Sequence, residues 1–166
     1  MLKKVALAAA LCAALYSTAA SALTQTTTIA VSATISGTCT ISATALAFGS
    51  LVTTSANTDQ TSTVSVNCSS TLPYTVGIDD GSFAGAVGTH PRQMNSAGSR
   101  LGYQVYMDAG RTTIFDNNVG AGTGPNIISL TGTGAAAPFT VYGRLPIQTT
   151  PTSGAYADTL TVTVSY

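Results

Sequence analysis

The chain has 166 residues, with six Lys and Arg against six Asp and Glu, so that only 7% of its side chains are charged. Charge this sparse and balanced supplies no basic face for a phosphate backbone, which argues against a nucleic acid partner. With a single histidine, His90, and three cysteines, no metal centre and no cofactor site can be assembled at recognisable ligand spacing.

Residues 1–22 read as a secretory signal peptide. Lys3 and Lys4 open it, residues 5–16 are apolar, and Ala20-Ser21-Ala22 is an A-x-A cleavage signal. The apolar run is too short and too Ala-rich for a membrane anchor, and nothing later resembles a span, so no direct membrane insertion is expected. Taking 22 residues from 166 leaves 144, beginning at Leu23, enough for one domain with a core. Both lysines depart with the signal. Arg92, Arg100, Arg111 and Arg144 then stand against Asp59, Asp79, Asp80, Asp108, Asp116 and Asp158, a formal charge of −2. Cys12 departs too, leaving Cys39 and Cys68. An even pair in an exported chain reads as one disulfide, worth about 3.5 kcal/mol in the chain-entropy model for a loop of roughly 30 residues; two free thiols are the alternative.

The mature chain is about one-fifth Thr and rich in Val, Ile, Tyr and Ser, a strand composition without helical periodicity. Residues 24–28 are a candidate tether. Ile29, Val31, Ala33 and Ile35 alternate with small residues. Val64 and Val66 lead into Cys68, and Tyr74, Val76 and Ile78 follow Pro73. Leu101, Tyr103, Val105 and Met107 form the next run, then Phe139, Val141 and Gly143, and finally Leu160, Val162, Val164 and Tyr166. Turn-rich pieces separate them: Asp79-Asp80-Gly81, residues 85–98, 117–125, 132–134 and 151–154. Short alternating strands with such punctuation predict an all-β antiparallel sandwich.

The two ends suggest how this sandwich is used. The alternating set of the last strand reaches Tyr166, so a sandwich lacking a following strand would expose an apolar groove and unpaired backbone. Ile29, Val31, Ala33 and Ile35 present one apolar face just before Cys39. Inserted into a neighbour's groove, that arm would extend the sheet and fill pockets with alternate side chains. The arrangement is head-to-tail and would give a fibre. The same pattern also suits a first or last strand of the domain's own sheet.

Other residues have plainer readings. Arg144 and Asp158 sit in neutral strand segments and suit a structural ion pair or a turn hydrogen bond. Asp79 and Asp80 before Gly81 suit a turn better than a Ca²⁺ ligand set. Tyr103, Tyr106 and Tyr142 are expected as core or groove aromatics. His90 lies in a Gly-rich loop, and no nucleophile-elbow context accompanies it, so no catalytic residue is assigned and the chain is not read as an enzyme.

In order along the chain stand Cys39-Thr40-Ile41-Ser42-Ala43, Leu46-Ala47-Phe48-Gly49, Val64-Ser65-Val66-Asn67-Cys68 and Pro73-Tyr74-Thr75-Val76. They are followed by Arg92-Gln93-Met94, Leu101-Gly102-Tyr103-Gln104-Val105-Tyr106, Arg111-Thr112-Thr113 and Val141-Tyr142-Gly143-Arg144-Leu145-Pro146. The series ends with Gly154-Ala155-Tyr156-Ala157-Asp158 and Val162-Thr163-Val164-Ser165-Tyr166. In this order they resemble the spore coat protein U domain family, the pilin-like domain of archaic (Csu-type) chaperone–usher pili. The resemblance implies an incomplete immunoglobulin-like sandwich lacking its last strand and completed by a donor strand. Residues 1–22 would be the signal, 23–37 the donor arm and 38–166 the pilin-like domain. It further implies a periplasmic chaperone that lends a strand to the groove and an outer-membrane usher that exchanges it for the next subunit's arm. Leu160, Val162, Val164 and Tyr166 would border the groove and contact the chaperone, and Ile29, Val31, Ala33 and Ile35 would be the donor residues. The expected protein is a shaft subunit in a head-to-tail homopolymer, secreted through the periplasm into an extracellular pilus and supporting attachment and biofilm formation. A coat protein without a pilus and a secreted carbohydrate-binding module are the alternatives.

Overall fold

The computed structural model describes residues 22–52, 56–84, 92–117, 126–148 and 151–166. The chain divides into a unit Met1–Thr34 and a unit Ile35–Tyr166. In the first, residues 22–34 form no strand and are exposed throughout. The signal-peptide reading and the loop containing His90 fall mainly or wholly outside the described residues.

The second unit contains eight strands and, among the described residues, no helix. They are β1 (Cys39–Ala43), β2 (Thr58–Cys68), β3 (Pro73–Ile78), β4 (Arg92–Ser96), β5 (Ser99–Tyr106), β6 (Ile128–Thr131), β7 (Ala137–Leu145) and β8 (Val162–Ser165). A five-stranded sheet runs β1-β2-β7-β5-β4 and a three-stranded sheet runs β6-β3-β8. Every pairing is antiparallel. The predicted all-β sandwich is therefore the observed fold.

The period of two explains which side chains meet. On β2, Ser62, Val64, Val66 and Cys68 point inward while Thr61, Thr63 and Asn67 are exposed. Tyr74, Val76 and Ile78 of β3, Tyr103 and Val105 of β5, and Val141 of β7 complete the core with Phe115. Ser62 is a buried polar residue with a partner, since its Oγ donates to the Thr44 carbonyl at 2.6 Å. Cys39 and Cys68 face each other across β1 and β2 and form the disulfide.

Three expectations need correction. Residues 85–98 are not all irregular, because 92–96 form β4, a hairpin partner of β5. The two-residue turn between them, Ala97-Gly98, has positive φ at both positions, 47° and 94°. That is the geometry a tight hairpin demands, here with Ala where Asn or Asp is usual. Tyr106 and Tyr142 are neither core nor groove residues. They lie opposite each other on β5 and β7, and because Val105 and Val141 point inward these tyrosines face outward. Finally, the last strand is shorter than its alternating pattern: β8 covers Val162–Ser165, and Tyr166 is 62% exposed.

Arg92, unassigned from sequence, is among the most deeply buried side chains, at 1% exposure. Its Nε donates to the Asp79 carbonyl at 2.8 Å, and one terminal nitrogen donates to Ile78 O at 2.9 Å and Phe115 O at 2.7 Å. The other terminal nitrogen donates to Gln104 Oε1. One guanidinium thus ties β4 to the end of β3, to the Phe115 segment and to β5. The Asp80 carboxylate lies 3.7 Å away and opposes the downward push that burial exerts on the arginine pKa. Arg144, by contrast, makes a two-pronged contact with Asp59 at 2.8 Å on the outer face, where Arg111 joins it at 3.3 Å. This is the structural ion pair expected for Arg144.

The turn at 132–134 leaves no space for a side chain. A Cβ on Gly132 would sit 2.2 Å from Ser69 O and 2.9 Å from Cys68 O. Neither backbone segment can yield cheaply, since Gly132 N donates to Leu72 O and Thr71 N to Gly132 O, both at 2.8 Å. Gly132→Ala is expected to cost about 1–3 kcal/mol by overpacking, read as a lower urea midpoint at unchanged slope. An unchanged midpoint would mean that the turn can move aside.

Candidate functional site

The sandwich is open along one side. Segment 43–52, which continues from β1, and segment 151–162, which leads into β8, form the walls of a groove of about 1050 Å³. Its floor is the core itself, including Val64, Ile78, Tyr103, Val105, Val141 and Leu145. Leu46, Phe48, Leu51 and Val52 belong to the first wall; Tyr156, Leu160 and Val162 belong to the second.

Each wall is fastened by polar contacts that leave its apolar side chains free. In the first, Thr44 N donates to Thr63 O at 2.9 Å, and Thr63 N donates to Thr44 Oγ1 at 2.9 Å. In the second, Ala157 and Asn95 exchange backbone hydrogen bonds of 2.9 and 3.2 Å. Asp158 is the one charged residue among the described lining, and it is fully engaged. Its carboxylate accepts from Tyr103 Oη at 2.7 Å, Ser82 N at 2.9 Å and Thr159 N at 2.8 Å. Asp79 works similarly behind the wall, accepting from Gly81 N at 3.1 Å and Thr161 N at 2.8 Å. These are turn and capping contacts of the kind expected for both acids. Burial, reinforced by the Asp158 carboxylate, pushes the Tyr103 hydroxyl well above the ordinary phenol range, so it remains a donor.

With its one carboxylate engaged by three hydrogen-bond donors and its other lining largely apolar, the groove suits an extended apolar segment. The backbone adds a second reason. β8 is an edge strand, paired to β3 in the register Val76↔Val164 and Ile78↔Val162, and no strand pairs its other side among the described residues. An open edge beside an apolar trough is a template for one more strand.

Of the four terminal residues singled out from sequence, Leu160 and Val162 line the groove, and Val164 packs on the core beside them. Tyr166 is not part of the lining. Ile29, Val31 and Ile35 are 85%, 90% and 97% exposed, and Ala33 is exposed with them. None of these four belongs to a strand. The sequence reading did not assign the first wall. Leu46 and Phe48 carry its signal, an apolar alternation just past β1.

These features define the class: an all-β antiparallel sandwich whose core opens into a groove beside an edge strand that, among the described residues, is paired on one side only. The family model described as the Spore Coat Protein U domain matches residues 25–163, and the chain belongs to that family. It is 33% identical over 111 residues to Protein U of Myxococcus xanthus, an alignment covering 64% of this chain and 59% of the relative. The chain thus spans about three-fifths of that relative's length. Its fold is similar to a solved chain in the CsuC–CsuE chaperone–tip adhesion subunit pre-assembly complex from archaic chaperone-usher Csu pili of Acinetobacter baumannii. The TM-score is 0.56 and the identity 22%, over 80% of this chain and 40% of that one.

Proposed function

We propose that this protein is a structural, non-catalytic subunit of an archaic chaperone–usher pilus. In this reading residues 1–22 direct export and residues 23–37 form a donor arm. Residues 38–166 form a pilin-like sandwich that accepts the arm of the next copy. The observation carrying the proposal is the pairing of an apolar groove beside the free edge of β8 with an exposed arm whose apolar residues recur at every second position. An arm strand laid against β8 pairs its backbone with the open edge and turns Ile29, Val31, Ala33 and Ile35 into the groove. Burying Ile29, Val31 and Ile35 at about 1.5–3 kcal/mol each contributes roughly 5–9 kcal/mol before the cost of ordering the arm. An arm that fills the groove of another copy leaves its own copy's groove open to the next arm, so the contact propagates head to tail into a fibre.

A periplasmic chaperone would hold the groove until an outer-membrane usher presents the next arm, with Leu160, Val162 and Val164 along the inserted strand and Tyr166 at its margin. The product is an extracellular shaft supporting attachment and biofilm formation. Membership of the Spore Coat Protein U domain family favours a second reading, a cell- or spore-surface coat built from the same domain without a pilus.

The test compares exported mature protein, residues 23–166, with a variant carrying Ile29→Asp, Val31→Asp and Ile35→Asp. Size-exclusion chromatography with light scattering is expected to show polymers, or a chaperone complex when the chaperone is co-produced, for the parent chain. The variant is expected to remain monomeric yet still take the chaperone. A parent chain that stays a stable monomer and ignores the chaperone would remove the pilus reading. Saturable glycan binding by that monomer would favour a carbohydrate-binding module.

A further inference from the structure

We infer that Tyr103 gauges the width of the groove and so selects which side chains an inserted strand may carry, an inference that rests on the strand-accepting reading above. Tyr103 rises from β5 in the groove floor and touches both walls. Its ring meets Phe48 of the first wall edge-on, with centroids 6.1 Å apart and planes at 65°. Its hydroxyl donates to Asp158 Oδ2 of the second wall at 2.7 Å. Both Tyr103 and Phe48 line the groove, as does Asp158.

The anchor on the far side is itself fixed. Asp158 Oδ1 is held by Ser82 N and Thr159 N at 2.9 and 2.8 Å. It occupies space that only glycine leaves open, since a Cβ on Gly81 would lie 2.2 Å from Asp158 Oδ2 and Gly81 has φ +83°. The Tyr103 side chain therefore acts as a strut of set length between Phe48 and a carboxylate whose other oxygen is held by two backbone amides. With Leu160 and Val162 following Asp158 along the same wall, the position of that carboxylate fixes how far those side chains stand from Leu46 and Phe48. Phenylalanine at position 103 keeps the floor and the ring edge but releases the second wall.

The experiment uses the full mature chain with its arm made polar by Ile29→Asp, Val31→Asp and Ile35→Asp, so that the groove can be offered synthetic peptides. One peptide has the sequence of residues 24–36; the other carries Val31→Phe. Two quantities are read for Tyr103 and for Tyr103→Phe: amide exchange at Ser82 and Thr159, and the ratio of the two peptides' dissociation rates. Losing a hydrogen bond to a carboxylate should speed exchange at those amides about tenfold while β2 and β7 amides keep their protection. The preference for the natural peptide should fall at least about threefold, because the released wall admits the larger ring. A loss of stability alone would weaken both peptides alike and leave the ratio unchanged, which would overturn the inference. If neither peptide binds the parent, the strand-accepting reading fails, and the Ser82 and Thr159 amides alone decide whether Tyr103 holds the wall. Phe48→Leu removes the strut's other contact and should lower the same ratio; an unchanged ratio in both variants would dispose of the gauge.

Discussion

Replacing Arg92 with methionine is expected to lower the unfolding free energy by about 3–5 kcal/mol, the range seen when one member of a buried charged network is removed. Methionine fills much of the same volume, so the loss is not mainly one of packing. It arises because the carbonyls of Ile78, Asp79 and Phe115 lose their donor together in the interior, each at about 1–3 kcal/mol, offset by relief from burying a guanidinium. Lysine would do little better. A single ammonium cannot reach acceptors that the planar fork serves from three nitrogens at once. For a domain of this size the midpoint of thermal unfolding should fall by on the order of 10 °C. Urea denaturation of Arg92→Met and Arg92→Lys checks this. A change below about 1 kcal/mol in both would show that water can stand in for the guanidinium.

Removing the disulfide should have the next largest effect, and one that reaches the groove. β1 is only five residues long, lies at a sheet edge and exposes Thr40, Ile41, Ser42 and Ala43. Little apolar burial holds it to β2. The covalent link between Cys39 and Cys68, separated by 29 positions, limits the freedom of the unfolded loop by about 3.5 kcal/mol. Because β1 runs directly into the first wall, paired Cys39→Ala and Cys68→Ala changes should let that wall fray before the rest of the sandwich melts. The expected result is a urea midpoint lowered by that energy, with amide exchange rising first at residues 39–46 and only later at β7. Equal midpoints with and without the bond would mean that the unfolded chain already keeps the loop closed.

Sequence revealed the fold where one face of a strand is buried and the other wet. Val64 and Val66, Tyr74, Val76 and Ile78, and Leu101, Tyr103 and Val105 all alternate for that reason, and each proved to point inward. β4 escaped because Arg92, Gln93, Met94 and Asn95 include no β-branched or aromatic residue, and their pairing with β5 depends on the hairpin geometry of Ala97-Gly98. Arg92 escaped for another reason. An arginine is ordinarily a surface residue, and its burial depends on three carbonyls brought together by the fold. Leu160 and Val162 of the second wall belong to an alternating run that continues into β8, whereas the first wall lies in an irregular segment where only the spacing of Leu46 and Phe48 hints at a buried face. Tyr106 and Tyr142 show the limit of composition: their aromatic character suggested the interior, but the register of their neighbours turned them out.

The groove floor is made of the same side chains that form the hydrophobic core, Val64, Ile78, Tyr103, Val105 and Val141 among them. An occupant would therefore act as a ligand of the folded state alone, since the unfolded chain has no floor to offer. Mass action then governs stability: an occupant at 100 times its dissociation constant adds about 2.7 kcal/mol, and every further tenfold adds about 1.4 kcal/mol. The melting temperature of such a protein has no single value. If a strand does occupy the groove, its concentration sets that value, and a dilute copy would differ in stability from a crowded one without differing in sequence.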